Sequence, residues 1–395
     1  MIKSHRIESI DLLRGIVMVI MCLDHTRDYF HLWGSGGSFQ TMDMELTTPA
    51  LYFTRYITHF CAPIFVFLSG TSAFLQSQRK SKKQLSWFLF TRGLWLVVLE
   101  VVLNNFLWNF DFHFGVLTFQ VIWAIGACMM VMAALIHLPK YVLLVLGIAI
   151  VAGHNLLDGI TVSGDGFFDT FWYLFHQFGG YEFGDHRWFG VGYPMLPWLG
   201  IMILGYSFGQ LYKKEVDPKY RRKMLYMIGL GALLLFIILR TFNLYGDPQW
   251  WFQTQDSLFK DIVSFTRITK YPPSLHFTLV TIGVCLILLA FLERFRNKVT
   301  NFFLVFGRVP LFFYFTHIAV IHLSSMLLIP LMGRPWYSCI GSYENWMDGL
   351  YMHLEVSLRY VYLAWALIIA LLYYPSLKYM QYKAKNKDKK WLSYF

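Results

Sequence analysis

The sequence predicts an all-α polytopic membrane protein with about ten transmembrane helices and both termini cytoplasmic. Composition is the first reason: 56% of the 395 residues are hydrophobic and 19% aromatic, but only 14% are charged, against ~25% in ordinary soluble domains. The second is a series of ten mostly apolar stretches that approach the roughly 20 residues needed to span a bilayer. The third is that the connections alternate in charge. The N-terminal tail, 76–86, the Pro139 turn, 213–223, 293–300 and the tail after Pro375 hold 22 Lys/Arg and five Asp/Glu; the other five connections hold five Lys/Arg and 13 Asp/Glu. Short loops rich in Lys and Arg stay cytoplasmic, and an even number of segments returns the chain to its starting side. The net charge of +11 therefore reads as an orientation signal and not as a nucleic-acid surface. The composition also excludes a disordered chain and a typical cytosolic enzyme.

In chain order the segments fall at 10–29, 51–75, 87–108, 116–138, 141–157, 194–212, 224–243, 274–292, 302–323 and 355–377. The first follows Lys3 and Arg6 as a signal peptide would. It carries Asp11 and Arg14, however, and ends in Asp24-His25 with no small-residue cleavage site, so it reads as a retained helix. The stretch at 141–157 is short. No internal repeat divides the chain: residues 1–395 form one integral-membrane domain, and 378–395 are its basic cytoplasmic tail. The outward connections 158–193, 244–273 and 331–354 are long and rich in Trp, Tyr, Gly and Asp, including Trp172, Trp188, Trp250, Trp251, Trp336 and Trp346. Aromatic faces beside carboxylates suit carbohydrate; an interfacial aromatic belt has the same composition. Cys22, Cys61, Cys128, Cys285 and Cys339 form no Cys-x-x-Cys pair, so neither a disulfide framework nor a metal site is expected. There is no Walker loop or dinucleotide fingerprint.

Ionisable residues inside spanning helices are costly and usually face a partner or a cavity. Asp11 and Arg14 are three apart near the inner end of the first segment, a spacing that permits a direct ion pair. His25 follows Arg14 by eleven residues, about three turns, and lies ~16 Å further along nearly the same face. An elongated ligand lying along this helix could touch both. Arg92 and Arg308 fall at a depth similar to Arg14, near the inner ends of the third and ninth segments. Three guanidinium groups at one level could clamp an anionic cofactor, because Arg matches phosphate bidentately; snorkelling side chains give the same pattern. His25, His59, His113 and His317 lie within segments or near their outward ends and are candidate bases, although any one alone also fits a hydrogen-bonded core histidine. Asp24 points roughly 100° round the helix from His25. Glu100, Asn104 and Asn105 form a second polar stripe, suited to helix–helix glue or cavity lining.

The arginine–histidine spacing, Arg14-x10-His25, resembles that of the integral-membrane acyltransferase family 3. A finer similarity is to bacterial relatives of heparan-α-glucosaminide N-acetyltransferase. It rests on Arg6-Ile-Glu-Ser-Ile-Asp11-Leu-Leu-Arg14-Gly15, Phe114-Gly115-Val116-Leu117, Tyr193-Pro194-Met-Leu-Pro197-Trp198-Leu-Gly200, Thr269-Lys270-Tyr271-Pro272-Pro273-Ser274 and the block from Gly307-Arg308-Val309-Pro310 to Tyr314-Phe-Thr-His317. The resemblance implies a multi-pass enzyme of the bacterial inner membrane. It would take acetyl from cytosolic acetyl-CoA and pass it to an amine or hydroxyl of an extracytoplasmic sugar. Carried over by motif, Arg14 serves acetyl-CoA and His25 the transfer, with His317 a second catalytic candidate and Asp24 beside them. Arg92, Arg308 and Asp11 join Arg14 on the cofactor side, and His113, Lys270 and Tyr271 are candidates for the acceptor. The lysosomal branch departs from this pattern, with an asparagine where His25 falls and its active histidine further along; His31 lies nearby at a different spacing. The sugar, N- or O-transfer, an acetyl-histidine or a ternary complex, and a homo-oligomer all stay open. The rival reading is a transporter or flippase for a sugar or lipid-linked sugar, which the lack of internal symmetry weakens. A non-catalytic scaffold has little use for an arginine and a histidine on one helix face.

Overall fold

The computed structural model describes residues 7–31, 47–254, 256–347, 351, 354–386 and 388–393. Lys3, Arg6 and Lys387, counted above among the inner basic residues, lie outside the described residues. The helices are α1 (Glu8–Phe30), α2 (Pro49–Thr58), α3 (Cys61–Ser77) and α4 (Lys82–Leu99), which runs through a π turn (Glu100–Asn104) into α5 (Asn105–Asn109). Next come α6 (Val121–Leu135), α7 (Lys140–Gly153), α8 (Phe167–Phe175), α9 (Met195–Phe208), α10 (Pro218–Thr241) and α11 (Leu258–Thr266). The chain closes with α12 (Leu275–Leu292), α13 (Lys298–Arg308), α14 (Pro310–Leu328), α15 (Tyr343–Met347) and α16 (Leu358–Lys385).

Every apolar stretch holds a helix. Among the described residues, seven helical stretches are long and apolar enough to cross a membrane: Pro49–Ser77, Lys82–Asn109, Lys140–Leu157, Pro218–Thr241, Leu275–Leu292, Pro310–Met332 and Leu358–Lys385. Helix α1 has the length but carries Asp11, Arg14, Asp24 and Arg27, while α6 and α9 are shorter.

Two expectations need correction. The fold is mainly helical but not purely so. Val116–Phe119, expected to open a helix, is strand β1, which pairs in parallel with β3 (Trp188–Val191), itself antiparallel to β2 (Gly179–Glu182). The helix starts only at Val121, where the Glu100 carboxylate accepts the backbone N–H groups of Gln120 (3.2 Å) and Trp123 (2.9 Å). That acceptor satisfies donors that an N-terminal turn otherwise leaves open. The polar stripe Glu100-Asn104-Asn105 is thus glue, since Asn104 also donates to Glu100 at 2.8 Å. The second correction concerns 302–323, which is two helices. Pro310 has no N–H to donate and takes the first position of α14, where that loss costs nothing.

Backbone contact between glycines sets the helix packing. A Cβ at Gly15 would strike the carbonyl oxygen of Phe303, and one at Gly307 that of Asp11. Gly70 and Gly205 meet the same way between α3 and α9, as do Gly93 and Gly126 between α4 and α6. Small residues allow this approach in apolar surroundings. We expect Gly307→Ala to push α13 off α1 at a cost of about 1–3 kcal/mol, read as a lower unfolding midpoint in detergent. Gly231→Ala, where an added Cβ meets nothing within 4 Å, should not lower it.

The basic connections gather at one end, where Arg296 pairs with Glu8 at 2.8 Å and Arg221 with Glu293 at 2.7 Å. The β-sheet lies at the opposite end.

Candidate active site

His25 and His317 meet across α1 and α14. His25 Nδ1 lies 2.8 Å from His317 Nε2, and the rings are within 7° of parallel. His317 is fully buried, and its Nδ1 is 2.7 Å from the Phe313 carbonyl. A carbonyl oxygen only accepts, so His317 Nδ1 carries the proton and donates. In a neutral ring that leaves His317 Nε2 as an acceptor, and His25 Nδ1–H must donate to it. The proton on His25 is then fixed on Nδ1 and its lone pair on Nε2, an arrangement that makes a base. No described residue hydrogen-bonds that Nε2. Trp108 presses edge-on against the His25 ring at 4.9 Å, and Tyr314 is 6.0 Å away.

The arginines converge as well. A cavity of about 300 Å³ is lined by Arg14, Arg92 and Arg308 together with Ser72, Gln76 and Lys383, a size within the range of small-molecule sites. Along α1 its wall is Arg14, Met18 and Met21, one face at i, i+4 and i+7, and His25 is the next residue on that stripe. Its deep wall includes Val121 and Tyr314, so it extends from the basic end to the neighbourhood of His25. Arg14 is held by Asp11 at 3.2 Å and by Ser72 Oγ at 3.0 Å. The Arg308 Nε is buried with no hydrogen-bond partner among the described residues. The first turn of α14, Pro310 and Leu311, also faces the cavity, adding the positive end of a helix dipole.

Beyond His25 lies a buried ionic cluster. Asp24 accepts from Arg55 at 2.8 and 2.9 Å and from Thr58 at 2.9 Å. Arg27 pairs with Asp24 at 2.8 Å and with Asp28 at 2.6 Å. Both Asp24 oxygens are therefore engaged away from the His25 ring. Lys270 is buried, with its Nζ 4.9 Å from the Tyr271 ring centre and 5.9 Å from that of Tyr193. Its charge acts on both Asp24 and His25. Burial alone raises the Tyr271 phenol, but Lys270 and Arg55 outweigh it and hold the phenol below its ordinary range. His59 donates Nδ1–H to the Arg55 carbonyl at 2.8 Å, next to this cluster.

The structure thus joins His25 with His317, joins Arg14, Arg92 and Arg308 with Asp11 behind them, and sets Lys270 and Tyr271 near Asp24. It leaves His113 apart, on an exposed turn whose backbone N–H donates to Asp111. The sequence reading passed over Tyr314, Ser72, Lys383 and Arg55. Tyr314 stands three residues before His317, on the same helical face. Arg55 is an arginine inside an apolar segment, the criterion that had singled out Arg14.

The family heparan-alpha-glucosaminide N-acetyltransferase, catalytic, matches the chain over residues 6–242, more than half its length. No curated protein matches the chain.

Proposed function

The chain belongs to the heparan-α-glucosaminide N-acetyltransferase catalytic family, and from that premise we propose that it is a membrane acetyltransferase moving acetyl from cytosolic acetyl-CoA to an extracytoplasmic sugar. The observation that carries this is the cavity, with three arginines at its basic end and its α1 wall leading to His25. In this reading the basic end faces the cytosol, as the Lys/Arg bias of its connections requires. Arg14, Arg92 and Arg308 take the phosphates of CoA. The pantetheine arm lies along Met18 and Met21, because Arg14 and His25 are ~16 Å apart on one face of α1, a length comparable to the extended arm.

His25 Nε2 removes a proton from the acceptor amine or hydroxyl as that group bonds to the acetyl carbonyl carbon. The C–S bond breaks, and the CoA thiolate takes the proton back from His25. His317 keeps the lone pair on Nε2 through the Phe313 carbonyl, fixing the tautomer as an orienting partner does for any general base. An acetyl-His25 intermediate would use the same lone pair. In this reading Lys270 and Tyr271, on the far side, meet the acceptor, with the aromatic outer loops providing sugar-binding faces.

The direct test is purified protein in nanodiscs with acetyl-CoA and a panel of amino sugars: CoA thiol should appear only when both are present. Release that ignores the acceptor, or uptake of sugar without acetyl-CoA, would count against transfer. Arg308→Gln removes a charge-assisted contact worth about 1.5–3 kcal/mol. Its KM for acetyl-CoA should rise by about 10- to 100-fold, with little change in acceptor KM. An acceptor KM that moves instead would detach Arg308 from the donor.

A further inference from the structure

We propose that His154, Asp158 and His176 bind one divalent transition-metal ion of the zinc class, at the end of the bundle opposite the basic connections. This inference goes beyond acetyl transfer and does not depend on it. His154 Nδ1 is 3.4 Å from His176 Nε2, and His176 Nε2 is 3.7 Å from Asp158 Oδ1. One donor atom from each residue lies within 4.8 Å of the others. Tetrahedral coordination with bonds of ~2.0–2.2 Å places ligand atoms about 3.3–3.6 Å apart, so the two separations at His176 Nε2 are already close to this spacing and the third, within 4.8 Å, has to close on the ion. Two imidazoles and a carboxylate with no thiolate are the donors of open zinc and non-haem iron sites. The lack of a Cys-x-x-Cys pair excludes a paired-thiolate site and leaves a His/Asp site open.

The carboxylate is oriented from behind. Asn155 donates to Asp158 Oδ2 at 2.8 Å, which turns Oδ1 toward the histidines. Among the described residues that Oδ1 is buried without a hydrogen-bond partner. Both histidines are at most 3% exposed. The competing account is a simple hydrogen-bonded pair, since His176 Nε2 also donates to the His154 carbonyl at 3.0 Å. That account leaves Asp158 Oδ1 unsatisfied, which is unfavourable for a buried polar atom. An ion replacing the His176 proton would be held by His154 Nδ1, His176 Nε2 and Asp158 Oδ1, and would give Asp158 Oδ1 a partner.

The location gives such a site two consequences. His154 and Asp158 follow α7, whereas His176 closes α8, so one ion would tie the 158–193 connection, with β2 and β3, to the bundle. A second cavity, of about 230 Å³, is lined by Asp158, His176, Thr269 and Tyr271. An open coordination position there would face the segment that carries Lys270 and Tyr271.

The test is metal analysis on the whole protein purified in detergent without chelator, followed by stripping and loading with Co²⁺ alone. The expected result is one zinc-class ion per chain and the visible d–d absorption of tetrahedral or five-coordinate Co²⁺. His176→Ala and Asp158→Asn should each weaken Co²⁺ binding by at least about tenfold, while eluting from gel filtration as the wild type does. His186→Ala, an exposed histidine of the same connection, should leave binding unchanged. Wild-type protein that retains no stoichiometric metal and shows only the pink octahedral Co²⁺ spectrum overturns the proposal. So does unchanged binding in both ligand variants. If those variants do not fold, the wild-type spectrum decides alone.

Discussion

His25→Ala is expected to lose acetyl transfer by about 10²- to 10⁴-fold in kcat, the usual weight of a positioned base, while keeping its fold. The fold should survive because the ring carries little of the packing. Among the described residues its ring hydrogen-bonds to His317 alone, and its ring neighbours are Trp108, Tyr314 and His317. Donor binding should also survive, since Arg14 stands ~16 Å along the helix from the truncated side chain. His317 provides the sharper comparison. His317→Gln keeps a polar group behind His25 but loses the fixed chain from the Phe313 carbonyl, so both His25 tautomers become populated. It should lower kcat by less than His25→Ala and leave both KM values near wild type. Two outcomes would sink the assignment: His25→Ala with wild-type turnover, or His317→Gln more damaged than His25→Ala in a protein that still elutes as one species.

Helical periodicity made the separation of Arg14 and His25, and the shared level of Arg14, Arg92 and Arg308 on one cavity, readable in advance. Arg14 and His25 are on one helix, so their spacing fixes their separation before any tertiary structure is known. Arg92 and Arg308 were legible by their places near the starts of apolar runs, although Arg308 in fact closes α13 just before α14 begins. Contacts between residues distant in sequence were not readable. Asp24 and Arg55 are 31 positions apart, and only the packing of α2 on α1 makes them partners. Hydrophobicity also conceals breaks: Pro310 stood inside a run apolar enough to read as one helix, and Val116–Phe119 is as apolar as a helix start yet pairs as a strand. For the His154–Asp158–His176 cluster, the first two are four apart at a helix end, a visible spacing, but the third arrives by way of α8.

Asp24→Ala should destabilise the protein by about 3–5 kcal/mol, because it leaves a buried guanidinium without its counter-charge. Arg27 keeps Asp28 at 2.6 Å, but Arg55, 3% exposed, loses the carboxylate that accepts two of its hydrogen bonds. Removing both charges should reverse much of this. A well-packed apolar replacement of a buried pair is often neutral or stabilising, so Asp24→Leu with Arg55→Met should unfold at a higher temperature than Asp24→Ala alone. The series also determines what Asp24 does for the chemistry. Its oxygens face Arg55, Arg27 and Thr58, so it can act on His25 only through the field and through the position of α2. Folded Asp24→Asn should then keep kcat within about tenfold of wild type, far above the expected kcat of His25→Ala. If instead Asp24→Asn matches His25→Ala in kcat while melting like wild type, Asp24 works directly with His25. If Asp24→Ala costs less than about 1 kcal/mol, the value of an exposed pair, then Arg55 has water or another acceptor to turn to, and the cluster is not the dry anchor that its burial implies.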